Sequence, residues 1–186
     1  MKPFNPTPRP CPVCAKTYIP ARPMQAVCGP RCAHRKIKQD KADERAKVKT
    51  RRETIKTMPV LKSEAQQAFN AFIRARDAGK PCICCGLPLS AGEVGGAFDC
   101  GHYRSVGSAP HLRYDERNAH GQRKQCNRWG AGRAVDYRLG LIERIGIAAV
   151  EALESDNTPR KWTREELRAI RDEYRQKLKQ LTKGML

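Results

Sequence analysis

Apolar residues recur every three or four positions between residues 61 and 73, a spacing that predicts a helix with one buried face. We expect this helix to start at Ser63, because Pro59 breaks the preceding segment and Ser63 with Gln66 forms a capping-box pattern. Gly79 is expected to end it. We interpret the buried face as part of the protein core; it consists of Leu61, Ala65, Ala68, Phe69, Phe72 and Ile73.

The chain from Ala134 onward carries three further apolar patterns of helical period. The first is the stripe Val135, Leu139, Ile142 and Ile145, and the second predicts a short helix from Ile147 to Leu153. The third predicts a terminal helix that Thr163 and Glu166 begin as a capping box. Its stripe consists of Leu167, Ile170, Tyr174, Leu178 and Leu181. We expect this stripe to pack on the chain's own core, and the alternative is a homodimer paired through it.

The remaining long stretches lack such a stripe. Residues 35–56 contain ten Lys or Arg and four Asp or Glu, without Pro or Gly, which favours a solvated linker helix or a helix that forms on DNA. Residues 82–132 are rich in glycine. Here we predict a β-hairpin around positions 92–96, a strand or turn from Phe98 to Tyr103, a loop through Asn118 and a helix beginning near Cys126.

The net charge of the chain predicts a polyanionic partner. Lys and Arg number 37 against 19 Asp and Glu, so the formal net charge is +18. A surplus of this size favours nucleic acid as the partner, with a membrane surface as the second choice. No apolar run reaches transmembrane length and no signal-peptide core follows Met1, so we expect a cytoplasmic protein that does not enter a membrane.

The nine cysteines are an odd number with C-x2-C spacings, which favours reduced, metal-bound thiols over a secreted disulfide framework. Two closely spaced pairs lie 13 residues apart and predict a four-thiolate zinc site at Cys11, Cys14, Cys28 and Cys32. A second zinc ion is predicted at Cys82, Cys85 and the returning Cys126. Because aromatic residues are few, we expect up to two structural zinc ions to replace part of the missing hydrophobic burial.

Four polar residues accompany the second cysteine set: Asp99, His102, Asn118 and Asn127. These are the residue types of a one-metal nuclease of the HNH kind. We predict that neutral His102 takes a proton from the attacking water, while Asn118 holds the imidazole or its loop in place. Asp99 and Asn127 would offer oxygens to a single catalytic Mg²⁺ or Mn²⁺ ion. Arg104 would neutralise charge on the scissile phosphate.

Three longer runs surround these residues: Phe98-Asp-Cys-Gly-His-Tyr-Arg-Ser105, Ser108-Ala-Pro-His-Leu-Arg-Tyr-Asp-Glu-Arg-Asn118 and Leu141-Ile-Glu-Arg-Ile-Gly146. They resemble the phage NinG family, to which the Rap recombination endonuclease belongs, and the similarity covers nearly the whole chain. The resemblance implies a structure-specific DNA endonuclease that cuts branched recombination intermediates, such as Holliday junctions and D-loops, with a divalent metal. It also implies that the protein acts in the cytoplasm of a bacterial host.

The chain departs from this family and from the generic HNH pattern. Members of the family resemble one another in a second C-x2-C pair before the asparagine, but Arg123 occupies its first position here. A guanidinium does not bind zinc, so we expect His120 to complete the second site, with Cys100, Cys84 or water as alternatives. In the generic HNH pattern an acid or a histidine directly precedes the catalytic histidine, whereas that position here is Gly101.

These observations predict a mostly helical α+β protein with a small zinc-stabilised ββα core of the HNH or treble-clef kind. We expect an N-terminal zinc module over residues 1–34, a basic helical linker over 35–58, and the nuclease core with C-terminal helices over 59–186. The predicted function is metal-dependent cleavage of branched DNA. The alternatives are a non-catalytic zinc-containing recombination accessory protein, a thiol oxidoreductase using Cys82 and Cys85, and an RNA-binding zinc ribbon.

Overall fold

The fold is described from a computed structural model, which covers residues 6–89, 98–130 and 132–184. The β-hairpin expected around positions 92–96 lies outside these residues. The chain divides into two compact units, Met1–Lys56 and Thr57–Leu186. The described residues form a mostly helical α+β structure with two small antiparallel sheets, which confirms the coarse fold class. Across the same ranges, every helix is too short or too polar to cross a membrane.

The first unit is a short hairpin followed by one long helix. Strands β1 (Arg9–Pro10) and β2 (Thr17–Tyr18) pair antiparallel, and helix α1 runs from Pro30 to Ile55. A proline suits the first turn of a helix, where its missing N–H would have no partner. Among the residues of α1 only Cys32 is buried, so α1 is the solvated helix that its charge pattern predicts.

The second unit begins with helix α2 (Met58–Asp77), which starts earlier than predicted. Ser63 is not its N-cap: Thr57 holds that position and Pro59 lies in the first turn. Proline ends a helix that precedes it but is tolerated in the first turn of the helix that it begins. The Ser63 hydroxyl instead accepts a hydrogen bond from the Gln67 side chain at 3.1 Å.

The main core forms between α2 and the terminal helix α5 (Arg164–Lys183). The predicted capping box is present: the Thr163 hydroxyl accepts from the Glu166 N–H at 3.2 Å, and the Glu166 carboxylate accepts from the Thr163 N–H at 2.8 Å. The stripe of α5 packs on α2 within the chain, as preferred from the sequence, and homodimerisation stays an untested expectation. The buried members of this core include Leu61, Ala65, Phe69, Ile73, Leu167 and Tyr174.

A two-stranded sheet lies beside this core and consists of β3 (Phe98–His102) and β4 (Ala119–Arg123). His102 pairs with Ala119 and Asp99 pairs with Gln122. Side chains of directly opposed residues share a face, and neighbours along a strand alternate. The face with His102 therefore meets the α2 core, where Ala119 is fully buried. The face with Asp99 points the other way.

Helices α3 (Ala134–Ile145) and α4 (Ile147–Ser155) form a second core beside the other face of the sheet. The short helix from Ile147 is confirmed, but the stripe predicted for α3 is wrong in part: Val135 is 75% exposed and Leu139 is 58% exposed. The fully buried residues of α3 are Tyr137 and Leu141. The Tyr137 hydroxyl donates to the Gly101 carbonyl at 2.9 Å, which ties α3 to β3.

Candidate metal centres and active site

Four cysteine sulfurs of the first unit converge on one point. All lie within 4.8 Å of one another; the Cys14 and Cys28 sulfurs are 3.6 Å apart and the Cys28 and Cys32 sulfurs are 3.5 Å apart. Sulfurs around a tetrahedral zinc ion lie about 3.8 Å apart, given Zn–S bonds of about 2.3 Å. Cys11 comes from the hairpin, and Cys32 from the first turn of α1. The predicted set is thus assembled in a geometry that fits one zinc ion.

The protonation of these thiols also fits a bound cation. Burial acts against the Cys11 thiolate, but backbone N–H groups, including that of Cys28, lower the pKa of Cys11 to about 6. Hydrogen bonds with the neighbouring thiols, first that of Cys32, raise the pKa of Cys28 to about 12. Acidic groups this close together resist a second ionisation unless a cation lies between them. A zinc ion would remove that conflict.

Three further sulfurs converge in the second unit. Cys82 and Cys85 lie on one turn, Cys126 lies on the helical turn Gln125–Trp129, and all three sulfurs are within 4.8 Å of one another. The turn needs Gly86, whose φ of +69° favours glycine. The Cys84 thiol and then the backbone N–H of Arg123, 3.3 Å from the Cys82 sulfur, lower the pKa of Cys82 to about 4. These thiols also fit zinc, with three ligands.

The structure does not bring His120 to this cluster, which corrects the expected fourth ligand. His120 is only 4% exposed. Its Nε2 lies 3.2 Å from the Arg117 carbonyl, and its Nδ1 lies 3.2 Å from Arg76 and 3.7 Å from Asp77. The ring lies on the face of the sheet that Tyr137 covers. His120 therefore lies on β4 with both ring nitrogens next to other groups, and it is not part of the sulfur cluster.

The two cysteine alternatives lie elsewhere too. Cys100 packs against the α2 core, where burial raises its pKa to about 12. The Cys84 sulfur accepts a hydrogen bond from the Gln122 side chain at 2.9 Å and lies beside Cys82. Within the described residues, the group whose sulfurs lie within 4.8 Å of one another includes neither Cys84 nor Cys100.

Asp99 and Asn127 come together from positions 28 residues apart. The Asn127 side-chain N–H donates to the Asp99 carboxylate at 3.0 Å. Arg128, which the sequence analysis did not single out, pairs with both oxygens of Asp99 at 2.8 and 3.0 Å. Partial burial opposes the charge of Asp99, but the bonds from Arg128 and Asn127 lower its pKa below the ordinary value. This group is the acid and amide pair predicted to hold a hard cation.

His102 does not join that pair. It lies three residues from Asp99 along β3, so the two side chains point to opposite faces of the sheet. Its Nε2 is 3.0 Å from the Arg113 carbonyl, and its ring centroid is 5.9 Å from that of Phe69. Burial lowers the pKa of His102, so the imidazole is neutral near pH 7.

Asn118 holds a loop. The side-chain oxygen of this fully buried residue accepts from the Arg104 N–H at 2.8 Å, and its N–H group donates to the Arg104 carbonyl at 3.0 Å and to the Leu112 carbonyl at 3.2 Å. Of the two roles considered for Asn118, the contacts match the holding of the loop that follows His102.

The Arg104 guanidinium hydrogen-bonds the C-terminal end of α4 and the residues that follow it. It donates to the Leu153 carbonyl at 2.9 Å, to the Asp156 carbonyl and to the Asn157 side chain at 2.9 Å. A cation is stabilising at a helix C-terminus, where the last carbonyls lack helical partners. These contacts direct Arg104 to α4, away from the place predicted for the scissile phosphate.

A buried carboxylate that no sequence pattern indicates lies beside β4. Asp77 is fully buried and accepts from the Gly121 N–H at 2.9 Å. Burial opposes its charge, but the nearby His120 ring and the hydrogen bonds from Arg76 hold its pKa well below the usual range. Most of its partners come from distant segments, so no local pattern indicates them. Arg76, Lys80 and Arg144 have cationic nitrogens within 4 Å of it, and the His120 ring, whose pKa is lowered by burial, lies 3.7 Å away.

Comparison with known proteins decides the family. The family model described as "Bacteriophage Lambda NinG protein" matches residues 4–184. The chain belongs to the NinG family. It is 44% identical to Protein ninG of Salmonella phage P22, over 90% of each chain. It is 42% identical to Protein ninG of Escherichia phage 933W, over 95% of each chain, and 41% identical to that of Escherichia phage lambda, over 90% of this chain and 89% of the relative.

Both cysteine clusters lie inside the part of the chain that the NinG family model matches. The names of the relatives state no reaction, so family membership leaves the chemistry to be argued from the site. No solved structure matches the chain significantly.

Proposed function

We propose that this NinG-family protein is a metal-dependent endonuclease that cuts branched DNA, such as Holliday junctions and D-loops. The observation that supports this proposal best is the pairing of Asp99 with Asn127 at 3.0 Å, next to the zinc-binding loop. Carboxylate and amide oxygens are ligands that Mg²⁺ and Mn²⁺ prefer. Rotation of the Asn127 amide would replace the N–H group that faces Asp99 with the amide oxygen. Arg128 stands in for the cation by neutralising the Asp99 carboxylate.

Asp99 and Asn127 would hold the ion, which when bound supplies a Lewis acid for a phosphoryl oxygen. Arg128 would leave the carboxylate and lie beside the phosphate, where its guanidinium would offset the negative charge. This assignment replaces Arg104, whose guanidinium is held by α4. The basic residue predicted at the scissile phosphate would thus come from the turn after Asn127.

His102 is the proposed general base. Its lowered pKa keeps it neutral near pH 7, which a base requires. A base must come within about 3 Å of the proton that it takes, directly or through one water. Because His102 faces the α2 core and Asp99 the opposite side, the end of β3 would have to turn when DNA binds. The loop held by Asn118 follows this point and would guide that turn.

The charge distribution supports a DNA backbone as the partner. Residues 35–56 carry ten Lys or Arg, and residues 160–183 carry nine. Solvated cations on helices neutralise phosphates independently of base sequence. Recognition would therefore follow the shape of a branch point.

The test is cleavage of fixed four-way junction, fork and duplex substrates with Mg²⁺, with Mn²⁺ or with a chelator. We expect nicking of the branched substrates only with a divalent ion. Asp99→Asn and His102→Ala should each lower the rate at least about 100-fold while junction affinity stays within a few-fold. Asp136→Asn and His34→Ala are the matched controls, and both should cut like the wild type.

A non-catalytic DNA-binding recombination accessory protein is the second candidate. The separation of His102 and Asp99 onto opposite faces of β3 favours it, because no single phosphate meets both side chains in this arrangement. This candidate predicts tight junction binding without nicking under any metal condition. It also predicts that Asp99→Asn and His102→Ala change binding only through stability.

A further inference from the structure

The second cysteine cluster differs from the first in having only three sulfur ligands. Within the described residues, the alternatives for the fourth ligand lie elsewhere: the His120 nitrogens face Arg117 and Asp77, and Cys100 packs on the α2 core. Zinc is almost always four-coordinate, and sites with three protein ligands leave the fourth position to water or substrate.

The fourth position of the second cluster faces a cleft. A cavity of about 450 Å³ opens directly on Cys85 and Cys126. No acidic side chain lines this cavity in the described part of the chain, and two arginines do. Trp129 lies at its edge with 76% of its surface exposed. The first cluster, in contrast, closes its tetrahedron with four thiols.

The two arginines have different partners. Arg133 lines the cavity beside Cys126 and pairs with Asp136 at 2.7 Å. The Arg123 side chain has no hydrogen bond or ion pair with any described residue, although its backbone N–H donates to the Cys82 sulfur at 3.3 Å. Arg123 is thus a half-buried cation beside the cysteine cluster, and it lines the cavity.

We propose that the second centre is an open metal site, bound by Cys82, Cys85 and Cys126, whose exchangeable fourth ligand is a phosphate oxygen held by Arg123. Water takes the position when phosphate is absent. A guanidinium matches the geometry of phosphate oxygens, and the exposed Trp129 ring offers a surface on which a base next to that phosphate can stack. The proposal concerns binding and does not depend on the nuclease reaction.

Cobalt replaces zinc in the test, because its visible absorption reports the ligands of each ion. Protein holding two Co²⁺ ions per chain is titrated with inorganic phosphate, and with one oligonucleotide carrying or lacking a 5′-phosphate. Sodium chloride at equal ionic strength is the control. We expect phosphate to change the absorption of one of the two ions and to saturate.

The variants separate coordination from general charge. Arg123→Gln should weaken the phosphate effect about tenfold while two ions remain bound. Arg175→Gln removes one exposed cation on α5 and should leave the effect unchanged. Arg123→Cys supplies a fourth thiolate, so it should abolish the phosphate response and slow metal loss to a chelator.

Comparison of the oligonucleotide with inorganic phosphate identifies the source of the phosphate. A response to the phosphorylated oligonucleotide at lower concentration than to inorganic phosphate assigns the site to DNA, and the reverse order assigns it to free phosphate. The proposal is overturned if neither changes the spectrum, if only one cobalt binds, or if X-ray absorption finds four sulfur ligands at both ions in the wild type.

Discussion

At the residue scale, Asp77 is a fully buried carboxylate with several cationic partners. A carboxylate without solvent contact is stable only when cations and N–H groups surround it. Arg76, Lys80 and Arg144 lie within 4 Å of it, and the Gly121 N–H donates to it. The group therefore joins α2, β4 and α3 around one negative charge.

Asp77→Asn should destabilise the second unit by about 3 kcal/mol, because breaking a buried pair leaves uncompensated charge on its partners. The measurement is chemical denaturation with zinc bound. Asp136→Asn is the matched control, since Asp136 is 40% exposed and pairs with an exposed arginine; it should cost less than about 0.5 kcal/mol. Equal losses in the two variants would contradict the role assigned to Asp77.

His102 predicts a pH dependence of stability. Burial lowers its pKa below the ordinary 6.5, so the folded state stays neutral at a pH where the unfolded state gains a proton. The sign follows: the contribution of His102 is fully present above about pH 6.5 and is lost as the pH falls below that value. Wild-type protein should lose stability between pH 7.5 and 5.5 by at most about 1.4 kcal/mol per pH unit from this group.

Comparison of variants isolates that contribution. His102→Gln should flatten the change in unfolding free energy between pH 7.5 and 5.5 relative to the wild type, while His34→Gln, at an exposed position on α1, should not. Protonation of the zinc-binding thiols is common to all three proteins and cancels in the difference. Parallel curves for all three would show that the His102 environment has been misassigned.

At the scale of elements, α3 approaches the second cysteine turn through a glycine. A Cβ atom built on Gly140 would lie 2.0 Å from the Ile83 carbonyl oxygen, which is backbone and cannot move aside as a side chain can. Ile83 itself is buried in the second core. The small residue lets the helix lie against the turn that carries Cys82 and Cys85.

Gly140→Ala should therefore destabilise the unit by about 1–3 kcal/mol through overpacking, although alanine alone favours a helix by about 1 kcal/mol. It should also speed zinc loss from the second centre, because the turn must shift. Gly79→Ala is the matched control, since no atom lies within 4 Å of its added Cβ. A melting temperature for Gly140→Ala at or above that of the control would refute the close approach.

At the scale of the whole molecule, we expect the folding of the two units to depend on metal to different degrees. Among residues 6–56, the core of the first unit contains few buried residues besides its cysteines, and Val27 is the aliphatic one in that cluster. The second unit has the α2–α5 core, which contains no metal ligand. Metal removal should therefore unfold the region around the first cluster and leave the helical core of the second unit folded.

Graded addition of a chelator should release the two zinc ions in order, the three-thiolate centre first. An open position admits a competing ligand, whereas four thiolates leave none. Simultaneous release of both ions would contradict this order.

Limited proteolysis after complete metal removal should cut the chain between β1 and the start of α1 before it cuts α2 or α5. Cys14→Ser should produce the same cuts without a chelator, and Cys100→Ser, outside both clusters, should not.

The sequence by itself determined the features that depend on near neighbours. The spacing of Cys11, Cys14, Cys28 and Cys32 indicated a shared ion, because a turn two or three residues long brings a pair of sulfurs together. The sequence also predicted the buried stripes of α2 and α5 and the capping box at Thr163, since helical contacts join residues three and four apart. The family resemblance likewise rests on contiguous runs and is confirmed by the NinG match.

Only the tertiary structure decided which of these residues meet. It paired Asp99 with Asn127 and Arg128, turned His102 to the other face of β3 and placed His120 against Asp77 instead of the thiols. It also exposed Val135 and Leu139 of α3 while burying Tyr137 on the same helix. Each of these outcomes depends on strand register and on elements packed from distant positions. The local sequence pattern does not predict such contacts, because they join segments that are far apart in the sequence and meet only when the chain folds.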